Sequence, residues 1–171
     1  GDAYRDAGDL ETAVAHFTRL GQAVPDSTIR ATAEYDAAAA LISMAAWDRA
    51  AGMLEQYRTS YPDSEFADDI AQKLAVTYME TGRGAEAAAE FERIAVAEGS
   101  SEDVRREALW KAAELYEASG AVSSEKRVLE NIVARYPDPL AESIEARYRL
   151  LEIADSQGNS AEVTARLNDI I

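Results

Sequence analysis

Residues 74–91 read LAVTYMETGRGAEAAAEF, and their reading decides the fold of the whole chain. A helical run closes at Gly82, the short turn Gly82-Arg83-Gly84 follows, and an alanine-rich run then opens a second helix that carries Phe91. Glycine suits the end of a helix because it takes the left-handed conformation that costs a residue with a Cβ about 1 kcal/mol or more. No strand precedes the turn, so its glycines are not a phosphate-binding loop.

Working outward, the same break recurs. Gly8, Ala45, Gly82, Gly120 and Gly158 stand 37, 37, 38 and 38 residues apart, and a second series, Pro25, Pro62, Gly99 and Pro137, keeps the 37, 37 and 38 spacing. Periods between about 20 and 50 residues without strand alternation indicate an α-solenoid. The 35 alanines belong to packed helices, and the four prolines and nine glycines punctuate them. The expected fold is all-α, a right-handed solenoid of helix-turn-helix units at about 1–26, 27–63, 64–100, 101–138 and 139–171. In each unit helix A ends at the glycine and helix B runs to the proline. Ser27, Ser64, Ser101 and Asp138 followed by Pro139 then cap the next helix A, with Glu65, Glu102 and Asp103 in first turns. Two departures stand out. Ala45 replaces the turn glycine, which predicts an altered turn, and Glu125 replaces a small residue between helices, which predicts either a splayed pair or a register slip.

These positions resemble the tetratricopeptide repeat family. Gly1, Tyr4, Gly8, Ala13, Phe17 and Pro25 follow its order of small residue, aromatic, turn glycine, alanine, aromatic and proline. Ala38, Leu41, Ala50, Leu54 and Pro62 repeat it, as do Ala75, Tyr78, Gly82, Ala87 and Phe91. Ala113, Tyr116, Gly120, Leu129 and Pro137 form a fourth copy, and Leu151, Ala154, Gly158, Val163 and Leu167 a fifth. The family unit is usually shorter, and the extra residues here lengthen helix A by about one turn. The strings Tyr61-Pro62-Asp63-Ser64 and Tyr136-Pro137-Asp138 are similar to long-helix repeats of bacterial cell-envelope proteins, such as the periplasmic coordinator of the Tol-Pal system and the outer-membrane assembly lipoprotein. That subtype implies a periplasmic or envelope setting in a Gram-negative bacterium, with the cytoplasm as the alternative. The first unit holds only the end of a helix A and the last closes on the apolar pair Ile170-Ile171, from which we expect a fragment of a longer array with self-association through its ends open to it.

The resemblance implies a binding groove lined by helix A. Carried over by position, it comprises Tyr35, Ala39 and Ile42, then Gln72, Val76 and Met79, then Trp110, Glu114 and Glu117, and finally Tyr148, Glu152 and Asp155. An aromatic and apolar groove with carboxylates in its C-terminal half describes a surface for a protein or extended peptide. Trp110 and Tyr148 fit either the groove or packing against a neighbouring helix, whereas Tyr4, Tyr78, Tyr116, Phe17 and Phe91 match packing positions. Members that clamp a C-terminal carboxylate use lysine, asparagine and arginine on helix A. Glu114 and Glu152 stand at such places here and would repel that ligand.

Charge and chemistry narrow the remaining classes. With 32 acidic and 17 basic residues the net charge is -15, which opposes binding to nucleic acid or an anionic membrane surface. The longest uncharged run, Ala37 to Trp47, is 11 residues, too short to insert in a bilayer. There is no cysteine, and His16 is the one histidine, so thiolate sites are excluded and neither a metal centre nor a cofactor is expected. Neighbouring acids such as Asp68-Asp69 and Glu102-Asp103 point in different directions on a helix and make no catalytic pair. The expectation is a non-enzymatic scaffold, with an accessory array of a larger enzyme or envelope machine as the alternative. The acid excess is spread nearly evenly along the chain, which favours general solvation over a targeted patch.

Overall fold

The computed structural model describes residues 8–23, 28–137 and 140–170, which form nine α-helices and no strand among them. The chain divides into two compact units, 1–83 and 84–171. The first contains α1 (Leu10–Ala23), α2 (Thr28–Ser43), α3 (Trp47–Ser60) and α4 (Ala67–Glu80). The second contains α5 (Gly84–Val96), α6 (Glu102–Ala118), α7 (Val122–Arg135), α8 (Leu140–Ser156) and α9 (Ser160–Ile170). Within each unit helices adjacent in sequence pack on one another. The A-type helices α2, α6 and α8 have 16, 17 and 17 residues, against 13 or 14 in the B-type helices α3, α5 and α7, but the A-type α4 has only 14, so the expected extra turn of helix A is absent there.

The turn series holds. Gly8, Gly82, Gly120 and Gly158 all have positive φ, from 66° to 79°, and Gly99 joins them at 82°. Ala45 corrects the expectation of an altered turn. Its φ is 53°, its N–H donates to the Ile42 carbonyl at 2.9 Å, and Ala46 N–H donates to Leu41 O at 2.9 Å. The turn at Gly120 has the same pair of bonds, from Gly120 to Glu117 and from Ala121 to Tyr116. The repeat geometry therefore forces an alanine into the left-handed region, at the usual cost of a Cβ there.

Alanine dominates the core because small side chains let helices approach closely. Ala37, Ala38 and Ala50 in the first unit and Ala87, Ala112 and Ala113 in the second are fully buried. Between them sit the larger anchors Leu41, Leu54, Tyr57 and Leu74, and in the second unit Leu109, Leu129, Ile132 and Leu150. Each fully buried aliphatic side chain contributes roughly 1.5–3 kcal/mol. Phe17, Tyr78 and Tyr116 are buried where the sequence places them, and Phe91 packs half-buried against the second core. In the last copy Ala154 is buried, whereas Leu167 is 43% exposed and α9 buries no residue.

Two capping expectations divide. Ser101 caps α6, its Oγ accepting from Val104 N at 3.3 Å, with Glu102 and Asp103 in the first turn. Ser64 does not cap α4. That helix starts at Ala67 behind Phe66, so Glu65 lies outside its first turn, which holds Asp68 and Asp69 instead. Ser64 Oγ accepts from Phe66 N at 3.1 Å and bonds the Tyr57 hydroxyl at 2.8 Å, spending its capping capacity on a tighter turn. Gly1, Tyr4, Pro25, Ser27, Asp138, Pro139 and Ile171 lie outside the described residues.

Glu125 keeps its register, five residues after Gly120, where Ala13, Ala50 and Ala87 follow their own turns. It is only 5% exposed, and Arg149 of α8 reaches it at 2.7 Å. The same guanidinium also meets Glu117 of α6 at 2.9 Å. The register slip is thus corrected: a charge fills the small-residue slot, and a cation from the next helix compensates it.

Candidate binding face on the A helices

Each unit presents its A helices differently. In 1–83, Tyr35 is drawn into packing: its ring stacks on Phe66 with centroids 4.5 Å apart and stands edge-on to Tyr57 at 6.4 Å. Its hydroxyl donates to Asp69 at 2.6 Å, and burial followed by that carboxylate pushes the phenol up to about 12. Ile42 and Ala39 are half-buried, Ile42 against the Val14–Leu41 cluster. Gln72, Val76 and Met79 on α4 remain exposed, the last two at 48% and 42%. Val76 and Met79 form the apolar part of this face, beside Gln72 and the partly exposed Asp69.

In 84–171 the same positions on α6 and α8 are acidic. Glu114, Glu117, Glu152 and Asp155 are exposed, as are Glu107 and Glu145 one turn earlier. Tyr148 stands 49% exposed on α8. Trp110 is half-buried and packs on the core, as the packing alternative requires. It lines a cleft of about 540 Å³ with Phe91, Ile94, Val104 and Ala108, edged by Glu107, Lys111 and Glu114. With Glu114 it also lines a cleft of about 480 Å³ with Ala141, Glu142, Glu145 and Arg149. The indole Nε1 is shielded from solvent and meets no acceptor among the described residues.

Polar braces that the sequence reading did not foresee tie A helices to B helices. Tyr78 donates to Glu55 at 2.8 Å, and Arg83 meets the same carboxylate at 3.0 Å. One repeat later, Tyr116 donates to Glu92 at 2.8 Å while Arg127 grips it with two nitrogens at 2.5 and 2.7 Å. Burial, then the carboxylate beside each, pushes both phenols up to about 12. The Tyr78 hydrogen bond holds Glu55 below the usual carboxylate range. Burial opposes this at Glu92, but Arg127 and Tyr116 together outweigh it and keep that group low too. The signal was available, since tyrosine and glutamate recur at a fixed separation of 23 or 24 residues.

Among the described residues no group of three or more histidine, cysteine or acidic side chains could hold a metal ion, and no helix is long and apolar enough to cross a membrane. His16 lies exposed on α1. The neighbouring acids act structurally, Asp69 holding Tyr35 and Lys73 while Asp103 pairs with Arg106 at 2.9 Å.

Comparison with known proteins accords with this geometry. A family model described as tetratricopeptide repeat matches residues 1–27, 32–64 and 107–139, more than half of the chain. No curated protein matches the sequence. A solved structure from Podosopora anserina, described as a kinesin light chain with nearly identical TPR-like repeats, aligns with 99% of this chain and 88% of its own at 18% identity and a TM-score of 0.53. A second solved structure under the same description and from the same organism gives 18% identity, 99% and 89% coverage and a TM-score of 0.52. Identity this low carries the helical repeat fold alone.

Proposed function

The chain belongs to the tetratricopeptide repeat family, and from that premise we propose that it is a non-enzymatic scaffold that binds a protein or extended peptide on its A-helix face. Such repeats generally serve protein–protein interaction. The observation that carries the assignment to this face is aromatic: the exposed aromatic side chain among the described residues, Tyr148, is on an A helix, whereas the exposed large apolar residues of the B helices, Leu20, Val96, Val122 and Leu167, are aliphatic. B helices spend their polar groups on the Tyr–Glu–Arg braces and on pairs such as Glu11–Arg49 and Glu130–Arg166. A helices leave Val76, Met79 and Tyr148 exposed and hold Trp110 at a cleft. Large apolar and aromatic side chains beside a rigid core are the usual anchors of an interface, and packed helices fix them before a partner arrives.

The test replaces Trp110 and Tyr148 with alanine, follows the fold by circular dichroism, and measures capture of partners from the source organism's extract. Loss of capture with the helical signal intact is the expected result. Capture unchanged by both substitutions overturns the A-helix assignment. The proposal extends to a bacterial envelope assembly, which rests on the Tyr61–Ser64 and Tyr136–Asp138 linkers. Reading the flanking gene sequence tests that part: a lipoprotein signal or coiled-coil leader supports it, and an attached catalytic domain favours an accessory array instead.

A further inference from the structure

We infer that the A-helix face of unit 84–171 takes a basic segment of a partner protein, a lysine- or arginine-bearing peptide that seats one apolar side chain beside Trp110. The inference rests on the A-helix reading above and adds the chemistry of the ligand.

Position, rather than total charge, carries it. The units 1–83 and 84–171 have nearly equal net charges, -7 and -8. Yet the two exposed positions four and seven residues after Gln72 on α4 are Val76 and Met79, whereas those after Trp110 on α6 are Glu114 and Glu117 and those after Tyr148 on α8 are Glu152 and Asp155. Acids have been moved onto this face without raising the overall excess, which general solvation does not require. Glu107, Glu145, Glu152 and Asp155 are exposed there with no cation bonded to them among the described residues, while the bases on these helices turn to other groups, Arg105 to Glu102 and the Ala97 carbonyl and Arg147 to the Asp169 carbonyl of α9. Lys111 pairs with Glu114 at 3.1 Å, Arg106 with Asp103 and Glu142, and Arg149 with Glu117 and Glu125. The face is a surplus of carboxylates whose local cations are spent, and its complement is a cationic chain.

The carboxylates border an apolar cleft rather than a flat surface. The cleft of about 540 Å³ is walled by Phe91, Ile94, Val104 and Trp110 with Glu107 and Glu114 at its edge. That volume accommodates an aliphatic side chain with its backbone, and cations that flank such an anchor fall against the rim. The Trp110 Nε1 donor, shielded and without an acceptor among the described residues, costs free energy in the unliganded chain. That donor is closed to solvent, so a docked side chain meets the Trp110 ring at the cleft rather than its N–H.

The experiment uses the full chain and a fluorescein-labelled peptide of alternating lysine and alanine with one central leucine, read by fluorescence anisotropy. The same peptide with glutamate for lysine is the counterpart. The lysine peptide is expected to bind, weakening with salt, and the glutamate peptide to show no binding. Glu107→Gln, Glu114→Gln, Glu145→Gln and Glu152→Gln together are expected to lower affinity about tenfold or more. Asp48→Asn, Glu65→Gln, Asp68→Asn and Glu80→Gln, which neutralise as many exposed acids in the first unit, are expected to leave it within about twofold. Trp110→Phe, which keeps an aromatic ring and shortens the wall of the cleft, is expected to weaken binding several-fold. Equal losses from the two acid sets, equal binding of both peptides, or no binding of the lysine peptide overturns the inference. An unchanged affinity in Trp110→Phe overturns seating beside Trp110. If the lysine peptide fails while Trp110→Ala and Tyr148→Ala still abolish partner capture, the A-helix reading stands and only the basic ligand is rejected.

Discussion

Units 1–83 and 84–171 are built on one turn geometry and one alanine-lined core, yet they differ at two kinds of position. Where Ala50 follows the first unit's turn, the second unit has buried Glu125 held by Arg149. Where α4 exposes Val76 and Met79, α6 and α8 expose carboxylates. The first difference shows that the close-approach slot constrains volume and charge balance together, so a long acid is admitted once the adjoining helix supplies a cation. The second shows that the repeat leaves its A-helix surface to be written separately in each copy. Fold and surface are therefore independent layers of one sequence.

The largest expected break in this comparison comes at Arg149. Arg149→Met leaves the Glu125 carboxylate buried without its cation and is expected to destabilise the second unit by about 3–5 kcal/mol, seen by hydrogen exchange as a loss of protection confined to 84–171. The double change Glu125→Ala with Arg149→Met makes this slot like Ala50 and is expected to restore stability to within about 1 kcal/mol or better. A double variant as unstable as the single one contradicts the compensation.

High pH comes next and should strike both units alike. Tyr35, Tyr78 and Tyr116 are each raised to about 12 in the fold, above the ordinary value of 10.0. The folded state therefore holds these protons more tightly, and the stability they contribute is present below the unfolded value and lost between about pH 10 and 12. An alkaline titration followed by tyrosinate absorbance should show late-titrating phenols whose ionisation coincides with loss of helix, and Tyr116→Phe should remove part of that step. Ala45→Gly acts in the first unit alone, where relief of the left-handed alanine should add about 1 kcal/mol. Smallest is Val76→Glu with Met79→Asp, which gives α4 the surface of α6. Thermal melts should move by no more than about 0.5 kcal/mol per substitution, because exposed positions carry little of the stability.

The fold was legible because turn and core positions answer to geometry that recurs every 37 or 38 residues. Even Ala45 gave its place away by spacing, although its conformation did not follow from its side chain: the neighbouring helices impose the turn on it. Glu125 was legible as a departure, but its partner Arg149 lies 24 residues away on a later helix, at a distance fixed only by packing. Ser64 misled because a serine before a helix can either cap it or tighten the turn, and the Tyr57 hydroxyl decides between the two. Of the A-helix face, residue type and exposure were readable for Val76 and Met79, whereas Tyr148 fitted either groove or packing until the structure showed it exposed, and the capture of Tyr35 by Phe66 and Asp69 depends on where α4 begins.

The most direct measurement is photo-crosslinking with a benzophenone amino acid placed at Tyr148, on the exposed A-helix face, and separately at Ala134, exposed on the B helix α7. Both variants are expressed in the source cells and crosslinked products are identified by mass. A partner protein joined at position 148 and absent at 134 is the predicted result. A partner joined at 134 and absent at 148 contradicts the A-helix face as the binding surface.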